Sequence, residues 1–465
     1  MGSTMADLAV LGAGPAGLGA AYRAARRGFE VVVLERAERV GGLAASFEVA
    51  GVRVDHGSHR LHPSIEPRIM GELTSLLGDD LQRRRRNGRI RLGGRWLAFP
   101  LRAGDLAARM PRGLALGAAW DAAWAWARRP RADTFAEVLR TGLGPTMCRR
   151  FYFPYARKLW GLEPEQLSGE QARRRVSAAS PTAMLRRVVT SASDDQAGVF
   201  YYPRRGYGQL AERLAEAAVA AGVDLRLGTA VRGMRPGAHG VEIATDHGAW
   251  QAGAAWSTLP LTALCTLVDP PPPAEVRAAV DGLEYRAMLL VYVVLEAPRH
   301  TRFDAHYLPE GWTPVTRISE PKNYRDATGA DPADVTVLCA EIPCDRGDAV
   351  WQLDDAAAGE LVCDALARSG LPQPPVAGVA VRRLARAYPI YRVGVEERFA
   401  AADAWIAQQP NLLTFGRQGL FAHDNAHHAL AMAWGAADAL GDNGRVDAAS
   451  WARARQRFAE HVVED

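Results

Sequence analysis

Leu8-Ala9-Val10-Leu11-Gly12-Ala13-Gly14-Pro15-Ala16-Gly17 opens the stretch that decides the fold, and Phe29-Glu30-Val31-Val32-Val33-Leu34-Glu35 closes it. An apolar run meets a Gly-x-Gly-x-x-Gly turn, a helical run follows to about Arg27, and a second apolar run ends in an acid. In this strand–turn–helix–strand order the glycine spacing specifies a dinucleotide site. Gly12 permits a tight turn, Gly14 lets the backbone approach a pyrophosphate, and Gly17 lets helix and strand lie close. Pro15 and Ala16 suit the first helical turn, where a proline forfeits no hydrogen bond. The helix N-terminus then offers free N–H groups and a positive dipole end to the phosphates. Glu35 stands 18 residues after Gly17, where an acid accepts from a ribose hydroxyl.

The rest of the composition bounds the answer. A chain of 465 residues can form two or three lobes. Its 48% hydrophobic and 23% charged residues are ordinary for a globular protein. A net charge of +4 is too mild to indicate a nucleic-acid partner. Of 56 basic residues only Lys158 and Lys322 are lysines, so an anion site is expected to use planar, bidentate guanidinium groups. The five cysteines show no metal-ligand spacing, and no metal is expected. The glycine turn interrupts the first apolar segment, which argues against a signal peptide or membrane span and for a reduced, cytoplasmic protein.

Further along, Gly41-Gly42-Leu43 suggests backbone close to a second part of the same cofactor. Residues 51–63 then place His56, His59 and His62 within seven positions, with no acid or cysteine at metal-ligand spacing. Residues 81–100 read as a hairpin around Asn87-Gly88 and Gly93-Gly94, with Arg83 to Arg86 as a solvated face. Residues 101–195 read as a helical insertion, in which Trp120, Trp124 and Trp126 suit a buried face or a lid. The nucleotide-binding lobe, begun over residues 1–100, resumes over residues 196–270. It includes an amphipathic helix with Leu210, Leu214 and Ala218 on one face. Residues 271–400 carry long β-like runs (288–295, 334–341 and 376–384) and read as a substrate-side sheet. Residues 401–465 return to the nucleotide-binding lobe, where Asp424 or Asn425 can cap a helix running to about Leu440.

The glycine motif with its acid, the Gly41-Gly42 pair and a distant Gly416-Arg417 turn together resemble the two-domain FAD enzymes. These include the amine oxidases, the protoporphyrinogen oxidases and the UDP-galactopyranose mutases. Four segments look most like the mutases. Gly57-Ser58-His59-Arg60-Leu61-His62 is similar to their Gly-x-His-x-x-His flavin loop. Residues 151–160, Phe-Tyr-Phe-Pro-Tyr-Ala-Arg-Lys-Leu-Trp, are similar to their Phe…Tyr-x-x-Lys-x-Trp segment, followed by an arginine, here Arg173 or Arg174. Thr316-Arg317-Ile318-Ser319-Glu320-Pro321-Lys322 is similar to their Thr-Arg-x-x-Glu-x-Lys. Gly416-Arg417-Gln418-Gly419 is similar to their flavin-contacting Gly-Arg-x-Gly.

The resemblance implies an α/β fold: a Rossmann-like FAD-binding domain of the GR2 type, with a helical insertion and a mixed β-sheet substrate domain. It also implies an enzyme in which N5 of reduced FAD displaces a nucleoside diphosphate from a sugar. The sugar ring opens and recloses at another hydroxyl without net oxidation. Expected cofactor contacts are Gly12, Gly14, Pro15, Ala16, Gly17, Glu35, Arg36, Gly41, Gly42, Leu43, Ser58, His59, Val231, Gly416, Arg417, Asp424 and Asn425. The expected substrate is a glycosyl compound, nucleotide-linked or otherwise anionic, with NAD(P)H or another donor as reductant. A homodimer is one option for the assembly.

The residue chemistry suits that expectation. Arg174 and Arg317 can flank a departing diphosphate through bidentate contacts, or serve in salt bridges. Phe151, Tyr155, Trp160 and Tyr391 can offer aromatic faces to the substrate, or pack the core. His59 and His62 can tune N5. Arg417 can stabilise negative charge on the reduced ring, aided by the helix dipole after Asp424. The chain departs from the mutases after Gly419, where His423 replaces a phosphate-binding tyrosine and Asn425 and His427 replace an acidic pair. These changes bear on the sugar more than on FAD. The alternative is an oxidoreductase of the amine oxidase or protoporphyrinogen oxidase type, passing hydride from an alcohol, C–C or C–N bond to FAD. Amine oxidation usually calls for a lysine near N5, and both lysines already lie in mutase-like motifs.

Overall fold

Alternation of the apolar residues around the glycine turn fixes the central sheet between two helical layers. Thr4–Leu11 pairs in parallel with Val31–Leu34 on one side and Gly248–Ser257 on the other. Leu8, Val10, Val31 and Val33 enter one apolar layer, while Ala9, Leu11, Val32 and Leu34 enter the other. Burial on both faces is what a parallel sheet covered by helices requires, so these strands are apolar throughout. Asp224–Arg226 extends one edge, and the antiparallel strands Gly240–Thr245 and Val231–Gly237 extend the other. Leu412–Thr414 returns from far along the chain to pair in parallel with Gly248–Ser257. Pro15–Ala25, Gln209–Ala220 and Ala426–Ala439 cover the first face. Leu261–Leu267 and Val395–Ala407 cover the second. This is the expected α/β, Rossmann-like arrangement.

The computed structural model describes residues 4–175, 198–327 and 329–463. The last part of the expected helical insertion (176–195), and residues 196 and 197, lie outside the described residues. Among the described residues no helix is long and apolar enough to cross a membrane.

A second, seven-stranded sheet runs Val376–Pro389, Tyr285–Leu295, Thr336–Cys344, Arg317–Ser319, Ala305–Tyr307, Gly88–Leu92 and Arg95–Phe99. The helix Asp355–Arg368 covers one face of it, and Phe47, Val52 and Val54 cover part of the other. Its last two strands come from residues 88–99, which the sequence reading placed in the nucleotide-binding lobe. They form a hairpin turned at Gly93-Gly94. Leu81–Arg85 is not part of that hairpin but pairs with Val199–Pro203. The cause lies at Asn87, whose N–H donates to Asp304 Oδ2 at 2.9 Å while its carbonyl accepts from Asp304 N at 3.1 Å. That bracket removes Asn87 from any turn. Arg83 and Arg85 are exposed as expected, but Arg86 is buried.

The helices Phe135–Leu143, Phe153–Trp160 and Gly169–Arg175 share a core of Phe135, Leu139, Phe153 and Trp160. The tryptophans ahead of them do not form a buried face. Trp120, Trp124 and Trp126 are 68%, 50% and 73% exposed. On Arg112–Ala123 the inward residues are Leu114 and Asp121. Asp121 Oδ2 accepts from Thr146 N at 2.6 Å, and this buried bond turns the aromatic side outward.

Candidate active site

The cleft forms where three separately encoded pieces meet. The first is the loop after Val52–Asp55, which Asp55 holds from beneath. Its buried carboxylate accepts from Ser46 Oγ at 2.6 Å, from Tyr207 N at 3.0 Å and from the Tyr202 hydroxyl. Burial raises the Asp55 pKa, and these donors oppose the rise. Tyr292 donates to the Asp55 carbonyl at 2.6 Å, and Ser58 N donates to Glu341 Oε1 at 2.8 Å. The loop is therefore bound to the second sheet and to the strand Val199–Pro203, and the side chains it presents are preorganised.

The second piece is a cross-strand pair. Arg317 and Glu341 are direct neighbours on antiparallel strands. Arg317 Nη2 donates to both Glu341 oxygens at 2.7 and 2.8 Å, and Nε adds a third bond at 3.0 Å. Burial works against the Arg317 charge, yet the adjacent carboxylate outweighs it and holds the pKa well above the usual arginine value. The third piece is Arg417, on the turn Gly416–Gly419. Its Nη2 donates to the Ala387 carbonyl at 2.8 Å, and its guanidinium lies 5.1 Å from the centre of the Tyr388 ring. Among the described residues its buried Nε has no hydrogen-bond partner, and no ion pair joins it to a carboxylate. Burial lowers its pKa.

These pieces, with Leu43, His56 and Tyr388, line an open cleft. His59 stacks against Tyr207 at 5.2 Å and 20°. Burial first, and then the charges of Arg417 and Arg317, push its pKa down to about 3, so the ring is neutral at pH 7. His56 is also lowered by burial. The Nδ1 atoms of His56 and His59 have no hydrogen-bond partner among the described residues.

The glycine turn fits FAD. Gly12 has φ +104°, and a Cβ on Gly17 would lie 1.9 Å from the Gly12 carbonyl oxygen. A Cβ on Gly14 would meet nothing within 4 Å, which leaves the helix N-terminus open to a phosphate. Gly41 N donates to Ala13 O at 2.8 Å, so the second glycine pair abuts the first turn in one cradle. Leu43 extends from that pair into the cleft wall. The Glu35 carboxylate accepts from Ala13 N at 2.8 Å and Ala37 N at 2.9 Å, which aims it along the cradle's edge. Thr229 N donates to Glu35 O, bringing Val231 nearby, while Arg36 is exposed. Unpartnered polar atoms at His56, His59 and Arg417 supply what a flavin's polar edge needs.

Other expected residues sit apart from the cleft wall. Arg174 is held by Glu170 at 2.6 Å and donates to Ala459 O, and it does not line the cleft that Arg317 lines. Trp160, His423 and Tyr391 form a buried aromatic group, with His423 bonded to Gln171 Oε1 at 3.0 Å and Tyr391 to Phe421 O at 2.9 Å. Tyr388 connects that group to the cleft, since its ring meets both Trp160 and Arg417. Phe151 and Tyr155 stack on each other at 6.2 Å in the helical lobe. His62 is half-buried, bonded to Ser64 Oγ at 2.8 Å and 6.1 Å from the His427 ring.

Asn425, not Asp424, caps Ala426–Ala439, in a reciprocal arrangement with His428. Asp424 instead accepts from His461 Nδ1 at 3.1 Å. Asp424, His428 and His461 could in principle offer three metal ligands. However, the His428 Nδ1 lone pair is taken by Asn425 N, and the two imidazoles stack at 4.2 Å and 14° rather than converge. Sequence reasoning missed Glu341 and Tyr388. A lone acid in the apolar strand Thr336–Cys344 was the available signal for Glu341.

Burial also makes the protein sensitive to acid. His59, His306, His423 and His428 all have pKa values lowered chiefly by burial. The unfolded chain takes up these protons near pH 6.5, and the folded chain does so only at much lower pH. Stability is therefore full above about pH 6.5 and is expected to fall by about 1.4 kcal/mol per pH unit for each such histidine below it. Urea midpoints at pH 7.5, 6 and 5 test this, and a flat series would refute it.

Three comparisons bear on the site. The profile of the family described as flavin containing amine oxidoreductase matches residues 15–421. A Mycobacterium tuberculosis protein, provisionally named flavin-containing monoamine oxidase AofH, is 31% identical over 312 residues. That match spans 63% of this chain and 65% of the relative. Among solved structures, reduced UDP-galactopyranose mutase superposes with a TM-score of 0.77 at 20% identity, covering 93% of each chain. Cyclohexylamine oxidase from Brevibacterium oxydans gives 0.67 at 16% identity, covering 93% of this chain and 98% of that one. At such identities the two structures speak to fold alone.

Proposed function

Since the chain belongs to the flavin-containing amine oxidoreductase family and is an FAD enzyme, we propose that its cleft isomerises an anionic glycosyl substrate between pyranose and furanose forms. The observation that carries this reading is the charge of the cleft: Arg417 is buried beside it with no carboxylate partner among the described residues. A surplus buried cation favours an anion near it, whether substrate or reduced cofactor. Bound FAD supplies N5, a nucleophile when reduced and a hydride acceptor when oxidised. Arg317, oriented by Glu341, presents its remaining N–H groups as fixed donors, and neutral His59 can accept or donate at Nδ1 according to its tautomer. Tyr388 offers an aromatic face to the sugar. A nucleoside diphosphate is the leaving group that this chemistry favours.

Lysine-assisted amine oxidation is disfavoured by where the lysines go. Lys158 Nζ donates to the carbonyls of Leu308 and Val315. Lys322 Nζ donates to those of Pro298, Pro332 and Val335. Neither lines the cleft. One observation favours a second reading: the charges of Arg317 and Arg174 are already matched by Glu341 and Glu170. A cleft in which Arg317 is already neutralised also suits hydride removal from an alcohol or C–C bond. The two readings separate in one experiment, in which oxidised and dithionite-reduced protein are compared on UDP-galactose and other sugar nucleotides. Ring isomerisation by the reduced form alone, without hydrogen peroxide, is the expected result. Stoichiometric bleaching of the oxidised flavin by substrate would replace it with the second reading.

A further inference from the structure

The outward tryptophans form a surface that the cleft chemistry does not use. Leu116, Trp120 and Trp124 repeat at four-residue spacing along one side of Arg112–Ala123 and the turn after it. Leu116 is 73% exposed, and the three indoles run in a row, with centroids 6.0 Å apart from Trp120 to Trp124 and 6.4 Å from Trp124 to Trp126. Exposed alanines at 115, 119, 122, 123 and 127 continue the apolar face. A contiguous patch of this kind marks an interaction site, since scattered apolar residues rarely align this way.

Within this segment the exposed charges are of one sign, and the next acid, Asp133, is paired with Arg173. Between Met110 and Ala132 the charged residues are Arg112, Arg128, Arg129, Arg131 and Asp121. Asp121, the one acid, is buried beneath the helix and bonded to Thr146 N. Arg112, Arg129 and Arg131 are exposed. We propose that this face docks the enzyme on an anionic lipid bilayer.

Indole rings favour the boundary between headgroups and acyl chains, because one edge is polar and the body is apolar. Arginine side chains lay their stems along apolar surface and extend their charge to lipid phosphates. The helix lies in the interface rather than crossing it, consistent with its twelve residues. A second copy of the chain fits less well. A two-fold contact through this face would set arginines against arginines, with no exposed acid in the segment to meet them.

The test uses the full FAD-loaded chain and sedimentation with vesicles of phosphatidylcholine alone or with about 30 mol % phosphatidylserine. The protein is expected to sediment with the anionic vesicles, with blue-shifted indole emission, and to be released as salt is raised. The W120S/W124S/W126S variant is expected to lose about tenfold or more in vesicle affinity while keeping its flavin spectrum. R112E/R131E is expected to lose the preference for anionic over neutral vesicles. Arg112 stands at the first helical position, where glutamate suits the dipole, and Arg131 is exposed, so neither change disturbs the core. Failure of the wild type to bind anionic vesicles would overturn the proposal. So would undiminished binding by the tryptophan variant, or self-association that this variant abolishes in the absence of vesicle binding.

Discussion

Arg317→Ala is expected to destabilise the folded protein by about 3–5 kcal/mol, a larger loss than most single substitutions cause. The side chains of Arg317 and Glu341 are 14% and 6% exposed, and three hydrogen bonds join them. Removing the guanidinium leaves the Glu341 carboxylate buried with Ser58 N as its remaining hydrogen-bond donor among the described residues. Water cannot readily reach it, so the cost is an uncompensated charge rather than a lost contact. Arg317→Met combined with Glu341→Leu is expected to recover most of that stability, because apolar groups of similar volume leave no charge behind. The same double variant is expected to stay inactive, since the cleft loses a fixed donor. Urea denaturation together with turnover separates the two roles. A single variant destabilised by less than about 1 kcal/mol would show that the pair is not desolvated as its geometry indicates.

Gly17→Ala is expected to yield protein that no longer retains FAD. The added Cβ would lie 1.9 Å from the Gly12 carbonyl oxygen, 3.1 Å from its carbon and 3.3 Å from Val10 Cγ1. The nearest obstacle is backbone, which cannot rotate aside as a side chain would. The turn must therefore open, at a cost of about 3 kcal/mol or more, and this equals roughly a hundredfold in affinity if it is felt at the cofactor. Gly14→Ala supplies the contrast, because its Cβ would touch no protein atom within 4 Å. That variant is expected to melt like the wild type as apoprotein yet still lose affinity where backbone must approach the pyrophosphate. Flavin absorbance per protein, measured with apoprotein melting, distinguishes the cases. Wild-type FAD content in both variants would remove the glycine turn from the cofactor site.

Much of the fold was legible because it rests on local patterns. The run from Leu8 to Leu34 alternates between two apolar layers and encloses a glycine turn, and both are properties of neighbouring residues. The long β runs of the second half likewise declare themselves by their composition. The tryptophan segment was less readable. Spacing alone gives the angular placement of Trp120 and Trp124 relative to each other, but not which way that side faces. Asp121 and its bond to Thr146 decide the direction.

By itself, then, the sequence determined a parallel nucleotide-binding sheet and an FAD-type cradle, because these follow from short-range spacing and residue type. Only the tertiary structure decided which arginines retain charge for the cleft. Arg317 is matched by Glu341 through strand register, and Arg174 by Glu170 one helical turn away. Arg417 reaches the same cleft from the far end of the chain, with no carboxylate partner among the described residues. For Arg317 and Arg417, charge compensation depends on distances of a few ångströms to residues remote in sequence, and only the tertiary packing sets them.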